Sequence, residues 1–174
     1  MRRATEHKRS LLLSGSREVM MNLWRCGELR PANPRISSVD EAREGVMDAR
    51  VKNWLDAACY DLESAEHMYR SGRYIYTIFL CHLALEKILK AKVQEIAGEL
   101  PPRTHNLRYL LSLCKLEVSE ETFEFLSKLS DVSIPTRYPE DFAKLRDAYT
   151  GPVAREYADK TKEAFEWIRG SLKP

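Results

Sequence analysis

The strongest hydrophobic pattern in the chain covers residues 75–96, which read IYTIFLCHLALEKILKAKVQEI. The beginning of this stretch is apolar on almost every side, as in a helix enclosed by other helices. From Leu85 onward, apolar residues recur at three- and four-residue steps, whereas much of the remaining surface, expected to be exposed, is taken by Lys87, Lys90, Gln94 and Glu95. No glycine or proline interrupts the run before Gly98. The pattern predicts the central helix of a bundle.

Further helices are predicted on both sides of the central one. An unbroken apolar stripe covers residues 51–68 and is followed by Ser71-Gly72-Arg73, a stop signal with a glycine suited to a left-handed cap. A first helix over about residues 48–70 and a central helix beginning near Tyr74 would form an antiparallel hairpin. Later patterns predict a short helix over residues 106–115 capped by Thr104, a helix from Ser119 to about Asp131, and a last helix beginning at Gly151-Pro152. The predicted fold class is all-α, an up-and-down bundle of about five helices.

Residues 132–150 lack a helical pattern of this kind. They contain two prolines and three aromatic residues. Proline interrupts regular structure, and such segments usually lie on the surface of the bundle and display polar groups. We expect an irregular loop here.

Residues 1–46 differ in composition from the rest of the chain. They contain eight arginines and one lysine, against nine arginines and ten lysines in residues 47–174. A basic arm for nucleic acid is one interpretation, but the charges are not clustered as such arms usually are. We expect residues 1–46 to be a poorly ordered Arg-rich leader, or upstream sequence translated from a misplaced start. Residues 47–174 are then the helical domain.

Overall composition excludes several classes of protein. A net charge of +2 with 44% hydrophobic and 31% charged residues is typical of a soluble globular domain and does not indicate a nucleic-acid coat. No uncharged apolar stretch reaches the length of about 18 residues that a membrane span needs. The four cysteines form no C-x-x-C pair, and those in helical patterns, Cys59, Cys81 and Cys114, are expected to be buried thiols. A reducing cytoplasm is the predicted location.

The polar residues within the predicted helices offer little obvious chemistry. There is no phosphate loop, no H-E-x-x-H pair and no nucleophile elbow. His82 and Glu86 lie one turn apart and could share a proton, although a hydrogen-bonded core histidine is the favoured interpretation. The four histidines are too scattered to predict a metal site. No metal and no cofactor are predicted.

Two polar segments outside the main helices are better candidates. Arg103-Thr104-His105-Asn106 opens a predicted helix, where free backbone N–H groups suit an anion. Thr136-Arg137-Tyr138-Pro139 offers a guanidinium for phosphate beside an aromatic ring for base stacking. The structural alternative for each segment alone is helix capping and loop anchoring.

Three groups of residues follow one another along the chain. They are Ala58, Asp61, Leu62, Ala65 and Glu66; then Ala84, Glu86, Lys87 and Leu89-Lys90-Ala91; and then Thr104-His105-Asn106-Leu107 with Arg137-Tyr138-Pro139. In their order and spacing they resemble the HEPN domain (higher eukaryote and prokaryote nucleotide-binding). The resemblance covers residues 50 to about 170.

The resemblance implies a five-helix domain that forms a homodimer. Such proteins are often encoded beside a minimal nucleotidyltransferase, as toxin–antitoxin or nucleotide-handling pairs. Many members are metal-independent RNases in which an arginine is followed, after four to six residues, by a histidine. In this chain only Arg2 and His7 have that spacing, while Arg103 and His105 are one residue apart. The departure favours a binding member of the family over an RNase.

The resulting hypothesis is a domain that binds a nucleotide or RNA phosphate and works with a nucleotidyltransferase partner. Arg103 and Arg137 would contact phosphate, His105 and Tyr138 would contact base or ribose, and Lys90 would supply a supporting charge. One alternative is an RNase toxin in which His105 and Arg137 converge in space. Another is a purely structural dimerisation module.

Overall fold

The computed structural model describes residues 47–137 and 140–173, apart from the side chain of Arg137. Six helices and no strand occur in these ranges, which confirms the all-α prediction. The leader hypothesis falls on residues 1–46, outside the described part of the chain. The helices are α1 (Ala49–Arg70), α2 (Tyr74–Ala97), α3 (Leu107–Leu113), α4 (Glu120–Arg137), α5 (Phe142–Ala148) and α6 (Gly151–Gly170).

The first two helices form the predicted hairpin. The carboxylate of Asp48 caps α1 by accepting a hydrogen bond from the backbone N–H of Arg50 at 2.7 Å. Gly72 turns the chain with φ of +72°, a left-handed conformation that glycine adopts without steric cost. α2 begins two residues later and ends at Gly98, which is also left-handed. Both ends of α2 are therefore fixed by glycine turns.

α2 is the centre of the bundle and packs against α1, α3, α4 and α6. Its apolar side chains Ala84, Leu85, Ile88 and Leu89 are fully buried. The prediction that Lys90 and Gln94 are exposed is wrong, because neighbouring elements cover α2 along nearly its whole length. Burial of a lysine requires a partner, and the ammonium of Lys90 bonds to a carboxylate of α2 itself.

The region between α3 and α6 is more helical than the sequence pattern predicts. α4 continues through Pro135 to Arg137 instead of ending near Asp131. Pro135 has no backbone N–H to donate, but it lies in the last turn of α4. In that turn the hydroxyl of Thr136 donates to the carbonyl of Val132 at 3.1 Å. Most of the expected loop over 132–150 is therefore helix.

The helix α5 escapes a pattern-based prediction because it buries none of its residues. Asp141 caps it by accepting a hydrogen bond from the N–H of Lys144 at 3.1 Å. Such a cap is a local signal, and it leaves no apolar stripe in the sequence.

Two of the three helical cysteines are the expected buried thiols. Cys81 and Cys114 are free and buried, and burial raises the pKa of each thiol to about 12. Cys59 is only partly buried, so the expectation of a buried thiol is not met there. Within the described ranges, none of the helices combines the length and apolar character that crossing a membrane requires.

Candidate functional site

The loop between α2 and α3 is held by a series of local hydrogen bonds. The N–H of Thr104 donates to the carbonyl of Pro102 at 2.9 Å, and the N–H of Asn106 donates to Oγ1 of Thr104 at 3.2 Å. The side-chain oxygen of Asn106 then caps α3 by accepting from the N–H of Tyr109 at 3.1 Å. Asn106, and not Thr104, is the helix cap. The loop that carries His105 is therefore fixed on both sides of that residue.

These bonds leave fewer free amides for an anion at the start of α3 than the sequence pattern predicts. The N–H of Asn106 and that of Tyr109 are already used, and the N–H of Leu107 donates to the hydroxyl of Ser130 at 3.4 Å. Ser130 lies on α4, and sequence spacing alone does not show that α4 approaches the start of α3. Side chains are therefore the better candidates for ligand contacts at this loop.

The imidazole of His105 lies against the carboxylate of Glu86 on α2. Nδ1 of His105 is 2.8 Å from Oε2 of Glu86. Because an ionised carboxylate only accepts hydrogen bonds, Nδ1 carries the hydrogen of this bond. The His105 side chain is 64% exposed, and Nε2 lies on the opposite side of the ring from the bond. Glu86 thus orients an imidazole whose second nitrogen is accessible to a ligand.

Glu86 itself is buried and carries a second partner. Its Oε1 accepts a hydrogen bond from Nζ of Lys90, one turn further along α2, at 2.7 Å. Burial on its own would raise the pKa of Glu86, but the hydrogen bonds from Lys90 and His105 outweigh it and hold the pKa below its ordinary value. Glu86 is therefore a carboxylate at neutral pH.

Two neighbouring residues, Trp54 on α1 and His82 on α2, also contact the Glu86–Lys90–His105 cluster. Nζ of Lys90 lies 5.5 Å from the centre of the half-buried Trp54 ring on α1. His82 is fully buried one turn before Glu86, and its Nε2 lies 3.0 Å from the backbone carbonyl oxygen of His105. Nδ1 of His82 is 3.9 Å from Glu86, beyond hydrogen-bond distance. His82 is thus a hydrogen-bonded core histidine.

A second buried acid pairs with a lysine between α1 and α2. Asp61 lies 2.5 Å from Nζ of Lys87. Burial raises the pKa of Asp61, and the Lys87 ammonium offsets this only in part. The pKa of Asp61 is thus raised and that of Glu86 is lowered, although each carboxylate has a lysine partner.

The structure brings together some of the residues predicted for the site. Lys90 and His105 meet through Glu86, and Arg103 is exposed in the same loop, two residues before His105. Arg137 ends α4, but its side chain and the whole of Tyr138 lie outside the described residues. Their proposed convergence with His105 stays a prediction.

Sequence reasoning paired Glu86 with His82 and missed its contact with His105. Its spacing from His82 is visible in the sequence, but its partner is His105, nineteen residues further along the chain. Only the path of the loop after α2 decides that contact. In the described part of the chain, no group of three or more His, Cys, Asp or Glu residues could hold a metal ion.

Comparison with known proteins agrees with this architecture. The model of the HEPN domain family matches residues 51–171. Among solved structures, the protein TT1696 from Thermus thermophilus is 26% identical with a TM-score of 0.61, covering 72% of this chain and 100% of that chain. The protein ST0689, described as an archaeal HEPN homologue, is 26% identical with a TM-score of 0.58, covering 71% of this chain and 98% of that chain. No curated protein matches the chain. The chain belongs to the HEPN domain family.

Proposed function

We propose that this HEPN domain binds the phosphate of a nucleotide or of RNA at the loop between α2 and α3. The observation that carries the proposal is the bond between Glu86 and His105, which holds an exposed imidazole in one orientation. An exposed histidine with a buried carboxylate behind it has already given up part of its rotamer entropy, which lowers the cost of ligand binding.

The other residues of the site would have distinct roles. The guanidinium of Arg103, which is exposed, and the guanidinium of Arg137 would donate charge-assisted hydrogen bonds to phosphate oxygens. His105 and Tyr138 would contact base or ribose. Lys90 is buried and bonded to Glu86, so it would act indirectly, by keeping the carboxylate ionised and in place behind His105.

The proposal extends to partners. Membership of the family supports a symmetric homodimer and a minimal nucleotidyltransferase partner in a cytoplasmic toxin–antitoxin-like pair. Co-expression with a nucleotidyltransferase from the neighbouring gene, followed by affinity purification of the tagged HEPN chain, would test the partner. A complex that stays together through size exclusion supports the pair, and separate elution counts against it.

A metal-independent RNase is the second candidate, because the Glu86–His105 geometry also suits catalysis. A carboxylate that orients an imidazole through Nδ1 leaves Nε2 to move a proton, and Arg137 would steady the phosphate charge. The family's Arg–His spacing is absent from residues 47–174, which favours binding over cleavage.

Fluorescence anisotropy with a labelled single-stranded RNA oligonucleotide at low salt separates these functions. Replacing Arg103 or Arg137 with alanine should weaken binding by about 1.5–3 kcal/mol, the range for a charge-assisted hydrogen bond. His105→Ala should leave the affinity largely intact, with only the smaller loss that follows from removing the imidazole contact to base or ribose. Arg146→Ala is the matched control, since it removes an exposed guanidinium that pairs with Asp147 on α5.

The same RNA, incubated with the chain in excess EDTA and run on a denaturing gel, tests cleavage. Intact RNA supports the binding function. Cleavage by the parent but not by His105→Ala would establish the RNase instead. If no RNA or nucleotide binds even at low salt, where phosphate contacts are strongest, the domain is a dimerisation module and its polar loop is structural.

A further inference from the structure

His82 makes its hydrogen bond to the same residue that bonds Glu86. Its Nε2 lies 3.0 Å from the carbonyl oxygen of His105, and the carbonyl can only accept, so Nε2 of His82 donates. Glu86, one turn later on the same face of α2, accepts from the imidazole of His105. Two positions on one helix face therefore hold the backbone and the side chain of one loop residue.

We propose that His82 is a positioning residue for His105. If Glu86 made the only bond from α2, the position of the His105 ring would still vary with the position of the His105 backbone in the loop. The second bond, made by a fully buried donor, fixes the peptide of His105 as well. With both ends held, few side-chain rotamers remain. The consequence for ligands rests on the proposed function, but the geometry itself exists without a ligand.

The tautomer of His82 is part of this arrangement. With its hydrogen on Nε2, the neutral ring has no hydrogen on Nδ1, which lies 3.9 Å from Oε2 of Glu86. His82 then leaves Oε2 to His105. The opposite tautomer would lose the bond to the carbonyl and place a donor beside Oε2, in competition with His105. Of the two neutral tautomers, only the Nε2–H form is compatible with both bonds.

The first test needs no variant and no ligand. Long-range ¹⁵N NMR of the imidazole rings in the parent chain distinguishes the two neutral tautomers. The proposal requires His82 in the Nε2–H form and His105 in the Nδ1–H form. Finding His82 in the Nδ1–H form would overturn it.

Two substitutions then separate positioning from a merely structural role. His82→Gln keeps an amide donor at about the distance of Nε2 from the backbone and should preserve the Nδ1–H form of His105. His82→Leu fills the site without a donor and should shift His105 towards the Nε2–H form. A folded His82→Leu chain with an unchanged His105 tautomer would overturn the proposal. Should that variant fail to fold, His82→Asn, whose amide is too short to reach the carbonyl, takes its place.

RNA affinity gives an independent check. If His82 acts only through His105, then His82→Leu changes the affinity for the RNA oligonucleotide in the parent but not in the His105→Ala background. A further loss in that background would contradict a positioning role. Because the NMR result is obtained on the free chain, failure of RNA binding would overturn the proposed function without deciding the role of His82.

Discussion

Oε2 of Glu86 and Nδ1 of His105 lie 2.8 Å apart, and they join the central helix to the loop that leaves it. The carboxylate is buried and the imidazole exposed, so the bond transmits the rigidity of the bundle to a surface group. Lys90 supplies the positive charge that lets the carboxylate stay ionised inside the bundle. The proposed site is thus built on α2, although His105, the side chain proposed to face the ligand, is in the loop.

The first prediction concerns the buried Glu86–Lys90 pair. Glu86→Ala should lower the free energy of unfolding by about 3–5 kcal/mol, because it leaves the Lys90 ammonium buried without its partner. Glu86→Gln retains a hydrogen-bond acceptor and should cost about 1–3 kcal/mol. Urea denaturation at neutral pH measures both. The matched control is Asp56→Asn, which breaks the exposed Lys52–Asp56 pair and should cost less than about 1 kcal/mol. Equal effects of the three changes would show that Glu86 is not a stabilising buried partner.

The second prediction is that Glu86 and Asp61 give opposite pH dependences. The folded-state pKa of Glu86 lies below its ordinary value of 4.5, so the unfolded chain binds the proton more tightly. The stability that the ionised Glu86 provides should be present above pH 4.5 and be lost as the pH falls through the lower, folded-state pKa. The stability difference between the parent and Glu86→Gln should therefore shrink on acidification.

For Asp61 the sign reverses. Its folded-state pKa lies above the ordinary value of 3.8, because burial disfavours the charge, so the folded chain binds the proton more tightly. The parent should lose stability relative to Asp61→Asn as the pH rises from 3.8 through the folded-state pKa. Urea denaturation of the three chains over a pH series checks both signs. The same sign for both acids would contradict the assigned environments.

The third prediction concerns the cap that fixes the His105 loop. Asn106→Ala removes the acceptor for the N–H of Tyr109 and should cost about 1 kcal/mol of unfolding free energy. Asn106→Asp keeps an acceptor and should cost much less. Thermal unfolding of the two variants side by side gives the comparison. Equal losses would mean that the cap does not stabilise α3.

The fourth prediction concerns self-association. A symmetric homodimer is expected from the family, and the aromatic-rich segment of residues 138–149 is a candidate for its surface. Within the described part of that segment, α5 buries no residue and Phe142 is 57% exposed. Phe142→Ser should weaken the dimer, whereas Tyr60→Ser, which removes an exposed aromatic ring from α1, should not. Light scattering at micromolar concentration measures the mass. A parent chain at only the monomer mass of 20.2 kDa would refute the dimer.

Local sequence patterns are sufficient to predict the elements whose signals lie within a few helical turns of each other. The stripe over 51–68, the glycine at position 72 and the apolar run after Tyr74 each act within a few turns, and they predict α1, the turn and α2 correctly. Burial of Lys90 and Gln94 could not be predicted in this way, because it depends on which neighbours cover α2. α5 escapes prediction since its only signal is a cap.

The candidate site is predictable in its loop residues but not in their support. The Thr104-His105-Asn106-Leu107 segment points to His105, and the exposure of that side chain agrees with a contact role. The hydrogen bonds that His105 makes with Glu86 and His82 depend on the path of the loop over α2, and residue spacing in the sequence does not give that path. The expectation of free amides at the start of α3 overlooks the hydroxyl of Ser130 on α4, which accepts a hydrogen bond from the N–H of Leu107.

The most direct test of the proposed phosphate site is amide NMR of the chain with AMP and, separately, with adenosine. The two ligands differ only in the phosphate, so a phosphate site responds to one and much less to the other. We predict that AMP shifts the backbone resonances of residues 103–107, and that adenosine at the same concentration shifts them far less. Shifts of similar size with both ligands, or AMP shifts confined to another surface such as the groove lined by Phe125 and Tyr157, would contradict a phosphate site beside His105.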